Sequence, residues 1–307
     1  MDIETRVLAE GLRFPEGPVA MPDGSVLVVE IAAGRLTSID PDGSTSTVAE
    51  TGGGPNGAAI GPDGDCYICN NGGMAWLERD GRLFPMGAAE DHRDGSIQKV
   101  DIRTGEVKTL YTECDGRPFS APNDLVFDRA GGFWFTDNGR TSGRQRDVTG
   151  VFYAASDGSE VREVIFPMVS PNGIGLAPDE SCLYVAETAT GRLWAFDLAG
   201  PGKLAGGKTV TRGERGRLVV GLPGYQLFDS LAVEACGNVC VATLVNGGIT
   251  IVAPDGGATE HVPFPDPGTT NICFGGPDMR TAFVTLSTTG QVVARRWPRP
   301  GHRLNCA

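Results

Sequence analysis

Several features of membrane, exported and nucleic-acid-binding chains are missing here. No apolar run in the 307 residues approaches the ~18–20 needed to cross a bilayer. The stretch from Met1 to Leu12 lacks the apolar segment of a secretory leader and begins with acidic residues. Basic residues are in deficit: 26 Lys and Arg stand against 38 Asp and Glu, for a net charge of −12. That balance argues against a nucleic-acid partner, which needs clustered Lys and Arg. Only three histidines occur, His92, His261 and His302. There is no G-x-S-x-G elbow and no evident Ser-His-Asp set, so serine-hydrolase chemistry has no visible carrier. No stretch shows the 3.6-residue apolar period of a substantial helix.

The eight cysteines include one C-x-x-C pair, Cys66 and Cys69. The pair lies in a strand-like run, and residues three apart in a strand point to opposite faces. We read the cysteines as reduced thiols of a cytoplasmic protein rather than as a zinc or redox site.

What is present is repetition. One pattern recurs six times, as FPEGPVAMPDGSVLVVE from Phe14, GPNGAAIGPDGDCYICN from Gly54 and APNDLVFDRAGGFWFTD from Ala121. It returns as SPNGIGLAPDESCLYVAE from Ser170, LFDSLAVEACGNVCVAT from Leu227 and TTNICFGGPDMRTAFVT from Thr269. Each copy is a polar residue, a short apolar strand, a tight turn and a second strand rich in β-branched and aromatic residues. The copies align on Glu16, Asn56, Asn123, Asn172, Asp229 and Asn271. A four-stranded propeller blade takes roughly 40–50 residues, so the shorter intervals fit bare blades and the longer ones carry insertions. The reading is an all-β, six-bladed β-propeller occupying 1–307 as a single domain. The segment IETRVLAEG has no hairpin of its own and can complete the last blade, which removes an exposed sheet edge.

The innermost strand of a propeller blade lines the central channel, so the six aligned residues should ring the axis. Six oxygen-bearing side chains with no His or Cys form a hard ligand set. It suits Ca²⁺ first, with Mg²⁺, Mn²⁺ or Zn²⁺ as alternatives. Without a cation, Glu16 and Asp229 would be desolvated and repel one another.

With these motifs assembled, the chain resembles the SMP-30/gluconolactonase/luciferin-regenerating-enzyme family. FPEGP with Glu16, PNDLVFDRAGGFWFTD with Asn123 and Asp124, SPNGIGLAPDESCLYVAE with Asn172, and FDSLAVEACGNVCVATLVNGG with Asp229 carry the resemblance. The match runs from Glu10 to Trp297. It implies a catalytic divalent metal held by Glu16, Asn172 and Asp229, with Asn123 either a fourth ligand or a substrate-facing group. It also implies that Asp229 acts as general base in opening a lactone or related ester. Two alternatives remain: a phosphotriesterase-like hydrolase at the same site, and a calcium-binding propeller without catalysis.

One departure bears on the substrate. Sugar-lactonase members often place Arg two residues before the Asn-Asp pair, and this chain has Ala121 there. Asn56, Asp124, Asn271, Met74, Trp76 and Phe228 are the expected substrate contacts. The apolar side chains among them suggest a lactone less polar than a sugar. His92 lies in an insertion from which it could reach the channel mouth. The partner expected is a small-molecule lactone or ester, with neither membrane nor nucleic acid involved.

Overall fold

The structure is a computed structural model that describes residues 5–206 and 216–306. Each copy of the repeat opens an antiparallel sheet, four-stranded in five cases and five-stranded in the fourth copy, and the sheets are the blades of a six-bladed propeller. Blade 1 runs Pro15–Ala20, Val26–Glu30, Arg35–Ile39 and Thr45–Glu50 in sequence and in space. Blades 3 and 5 begin with Pro122–Phe127 and Leu227–Val233 and follow the same order. Blade 6 draws on both ends of the chain. Thr5–Ala9 lies antiparallel to Gln291–Arg296, with Thr5 opposite Arg295 and Val7 opposite Val293. No helix among the described residues is long and apolar enough to cross a membrane.

The turns explain the register. In Met21–Ser25 the Asp23 carboxylate accepts the Ser25 amide at 2.9 Å, and Gly24 sits at φ 91°, a conformation open to glycine at no steric cost. The Met21 amide then meets the Ser25 carbonyl at 2.9 Å. That locks the first two strands of the blade in pairing. In blades 1 to 4 burial is greatest in the first two strands, which carry aromatic and β-branched residues. Between blades 2 and 3, Tyr67, Phe127 and Phe133 pack with ring centroids 5.0 to 5.7 Å apart. Between blades 4 and 5 the wedge is Tyr184, Phe228, Leu231 and Val239.

The long intervals hold insertions. Blade 2 inserts the hairpin Met74–Arg79 and Arg82–Ala88 between its second and third strands. Blade 3 inserts the shorter Thr141–Ser142 and Gln145–Arg146 at the equivalent place. Both rise on the side where the repeats begin, and they touch one another: Gly87 packs beside the Thr141 carbonyl. At the other end of the inner strands, His302, Leu304 and Asn305 of the C-terminal tail close a small cavity of about 70 Å³ that Asp124 and Asn271 also line. Asn305 fastens the tail there by donating to the Phe127 carbonyl at 3.0 Å and to Glu180 at 2.7 Å.

Candidate metal centre and substrate cavity

The innermost strand of every blade is bulged at or directly beside the aligned residue. Pairing breaks between Glu16 and Val19, Pro55 and Ala58, Pro122 and Leu125, Pro171 and Ile174, Phe228 and Leu231, and Thr269 and Asn271. A bulge sets an extra residue against the partner strand and re-aims its side chain. Here it does so at the aligned residue in blades 2 to 5 and directly beside it in blades 1 and 6, where Glu16 and Asn271 border the break.

The residue after the bulge explains three glycines. A Cβ on Gly17 would lie 2.5 Å from the Asn56 carbonyl oxygen, and one on Gly57 would lie 2.5 Å from that of Asn123. On Gly173 it would lie 2.6 Å from the Asp229 carbonyl oxygen. Neighbouring blades therefore meet backbone to backbone around the axis. Replacing Gly57 with Ala should lower unfolding stability by about 1–3 kcal/mol, the usual cost of overpacking; urea denaturation measures it.

A second device holds the approach to four of these strands. The residue ending the second strand turns its side chain back on the loop before the first. Glu30 accepts the Arg13 amide at 2.7 Å, and Asn70 accepts that of Gly54 at 2.9 Å. Asp137 accepts the amides of Ser120 and Ala121 at 2.8 Å each, and Glu187 accepts that of Val169 at 2.8 Å. These groups escaped the sequence reading, although the polar ends of VVE, YICN, FTD and VAE mark them.

On the axis the aligned side chains engage one another. Glu16, 2% exposed, accepts the Gly17 amide at 2.6 Å and the Asn271 side-chain amide at 2.7 Å. Asn172 accepts the Ser230 hydroxyl at 3.4 Å and hydrogen-bonds Asp229. Burial raises the Glu16 carboxyl above its ordinary range, and its hydrogen bonds only partly offset this. Burial pushes Asp229 well above its usual range, and the charges of Glu16 and Asp124 add to it. Asp124, beside Asn123, is raised to about 7, by burial first and by Glu16 second. Three carboxyls thus share one desolvated region, where the sequence reading counted two as charge-bearing ligands.

Two other buried glutamates show what is missing there. Burial pushes Glu30 up, but Arg35 at 2.8 Å, Thr37 and the Arg13 amide outweigh it and bring the carboxyl below its usual range. Glu234 is treated the same way by Arg299 at 2.5 Å together with Trp297, Asn238 and Cys236. Among the described residues no Lys or Arg pairs with Glu16, Asp124 or Asp229. The carbonyl oxygen of the Asn123 side chain is also buried with no hydrogen-bond partner, an uncommon state for a buried acceptor. Unneutralised carboxyls beside an orphaned carboxamide oxygen form a donor set that fits a hard divalent cation. No three His, Cys, Asp or Glu among the described residues are arranged to hold a metal by themselves, so carboxamides would have to share the task.

A cavity of about 640 Å³ opens over Asn56 and Asn123. Met74, Met86 and Pro85 of the blade 2 hairpin form one wall, and Asn138, Arg140 and Arg146 of the blade 3 insertion form another. Ala121 lies in its lining, and so does His92. The His92 Nδ1 sits 3.0 Å from the Gly73 carbonyl, which can only accept, so Nδ1 carries the proton. Its Nε2 has no protein partner.

Two of the expected contacts are corrected. Phe228 has no exposure and packs between blades 4 and 5. As the residue preceding Asp229 in a strand, alternation turns it into the blade. Trp76 packs tilted against Phe14, with ring centroids 4.9 Å apart, and fixes the blade 2 hairpin to blade 1. Met74, Asn56 and Asn123 line the cavity. Asp124 and Asn271 line the small cavity at the tail end of the channel. The thiols of Cys66 and Cys69 are buried and unpaired, with Cys66 pushed up to about 12 by burial.

The fold and the axial oxygen-donor ring define a six-bladed propeller built around a central polar site. The chain belongs to the SMP-30/Gluconolactonase/LRE-like family, whose model matches residues 14–288. It is similar to a gluconolactonase of Zymomonas mobilis subsp. mobilis, with 28% identity over 94% of this chain and 80% of that one. It is also 27% identical to the lactonase drp35 of Staphylococcus haemolyticus, over 80% of this chain and 68% of the relative. Among solved structures, regucalcin of Agrobacterium tumefaciens, described as a calcium-binding protein, shares the fold with a TM-score of 0.74. That alignment has 19% identity and covers 98% of each chain.

Proposed function

We propose that this protein is a lactonase that depends on a divalent metal, with Ca²⁺ the ion that best suits its donors. The observation that carries the reading is the trio of buried carboxyls, Glu16, Asp124 and Asp229, without a basic partner, while Glu30 and Glu234 each have an arginine. Two lactonases among the relatives support the chemistry. Glu16, Asn172 and Asp229 would hold the ion, and the orphaned Asn123 oxygen is the natural fourth donor. When bound, such an ion polarises an ester carbonyl and acidifies water.

The chain's own groups account for the rest. Asp229, a carboxylate on the axis, is the group that would take a proton from attacking water. Asn56, in the cavity lining, can donate its side-chain amide to an oxygen of the substrate ring. The insertions of blades 2 and 3 screen the site from bulk water, which strengthens each polar contact within it. Asn271, expected among the substrate contacts, is instead read as acting at one remove, by holding Glu16 in place.

Asn271→Ala should therefore weaken the metal rather than the substrate. The calcium concentration for half-maximal lactone hydrolysis should rise about tenfold, as expected for losing a group that orients a metal ligand. The maximal rate at saturating calcium should fall much less. A pH-indicator assay over a calcium titration measures both. An unchanged calcium requirement with a raised KM would place Asn271 on the substrate instead.

A further inference from the structure

The cavity's charge differs from that of the protein around it. Although the chain carries 38 acidic and 26 basic residues, no Asp or Glu among the described residues lines this cavity, while Arg140, Arg146 and His92 do. The two arginines are not equivalent. Arg140 has a carboxylate beside it, Asp147 at 3.8 Å. Arg146 hydrogen-bonds neutral groups, namely the Thr141 hydroxyl at 2.5 Å, the Asn138 carbonyl at 3.1 Å and the Asn138 side-chain oxygen at 3.0 Å; Asp147, next to it in the chain, reaches it through its charge without a hydrogen bond.

Those bonds come from both terminal nitrogens and brace the guanidinium against its own hairpin. They leave N–H donors of a rigid, planar cation without a hydrogen-bond partner among the described residues. The opposite wall, with Met74 and Met86, is apolar. A guanidinium held by neutral acceptors at the rim of an acid-free cavity has the form of an anion receptor.

We propose that Arg146 is a specificity residue that binds a carboxylate substituent on the substrate, so that the preferred substrate is a lactone bearing a carboxylate. The ring oxygens face Asn56 and Asn123, the carboxylate faces Arg146, and the ring's carbon face lies against the methionines. This inference rests on the lactonase reading. It also amends the expectation, drawn from Ala121 and the apolar side chains, of a lactone less polar than a sugar. The charge absent at that strand is supplied from the neighbouring insertion.

The test uses probes that cannot be hydrolysed, so that it stands apart from turnover. Calorimetric titration of the calcium-loaded protein with 3-oxocyclopentanecarboxylate and with cyclopentanone compares a charged with a neutral cyclic ketone. The charged ketone should bind about 10–100-fold tighter, the scale of one charge-assisted contact. Arg146→Gln should abolish that preference, and Arg146→Lys should keep part of it, because the charge stays while the fork is lost. Arg144→Gln removes the same charge from the same hairpin at a residue outside the lining, and should leave the preference intact. Equal binding of the two ketones by the unaltered protein would overturn the proposal. So would an undiminished preference in Arg146→Gln that melts at the original temperature, or equal losses in Arg144→Gln and Arg146→Gln. If the preference holds but no lactone of either charge is turned over, the lactonase reading fails and the anion site stands.

Discussion

Asp229→Asn should lose about 10²–10⁴-fold in the rate of lactone hydrolysis, the usual scale for removing a general base. The substitution keeps an oxygen that can face a cation and nearly preserves shape, so the loss isolates the proton-accepting function and one negative charge. Calcium should still bind, more weakly, and raising its concentration should not restore the rate. Asn172→Ala provides the contrast. It removes a proposed ligand that has no proton to accept, so its activity should return in part as calcium rises. Rates measured across a calcium titration for both variants separate the roles. Full recovery of Asp229→Asn at high calcium would make Asp229 a ligand alone and send the search for a base elsewhere.

The second large effect is on stability. Asp124 is raised from 3.8 to about 7 in the folded protein, and Glu16 and Asp229 are raised as well. A carboxyl raised on folding favours the folded state only while it holds its proton. Its contribution is present below the unfolded value and is lost as pH climbs through the folded one. For Asp124 alone the loss across that window amounts to about 4 kcal/mol. Protein stripped of metal should therefore melt at progressively lower temperature between about pH 4 and pH 7. A bound divalent cation neutralises the same charges, so calcium should raise the melting temperature most above pH 7. The gap between calcium-loaded and chelated protein should reach on the order of 10 °C there and shrink towards pH 5. Calorimetric scans at several pH values, with and without chelator, test this. A gap independent of pH would mean that calcium acts away from these carboxyls.

The propeller was legible because its signals are local. Tight turns at one place in all six copies, with Asp-Gly at Met21–Ser25 and Gly61–Asp65 and with Glu180 or Met279 at the positive φ in blades 4 and 6, leave little choice of architecture between apolar strands. The polar ring was legible for a related reason: residues at one position of a repeat meet when the repeats close on an axis. The bulges were not, because a bulge is a break in pairing between strands and leaves no residue signature of its own. The glycines behind three of the ring residues hinted at it, but their purpose depends on the backbone of the next blade. Phe228 was misplaced although strand alternation alone sends it away from Asp229. Trp76 was misplaced because an aromatic in an insertion can face either the cavity or the body, and Phe14, 62 residues before it, decides. Arg140 and Arg146 were passed over because a short irregular insertion has no periodicity from which to read its direction.

The central claim is that the axial oxygen donors hold one divalent ion on which lactone opening depends. The most direct measurement starts from protein freed of metal by chelation and returned to buffer without it. Calcium is then added in measured equivalents while hydrolysis of a lactone is followed by pH indicator. The account predicts negligible activity at the start, a rise that saturates at one calcium per chain, and loss again on adding excess chelator. Full activity in the metal-free protein, or activity that stays absent at every level of calcium while the ion demonstrably binds, would contradict it.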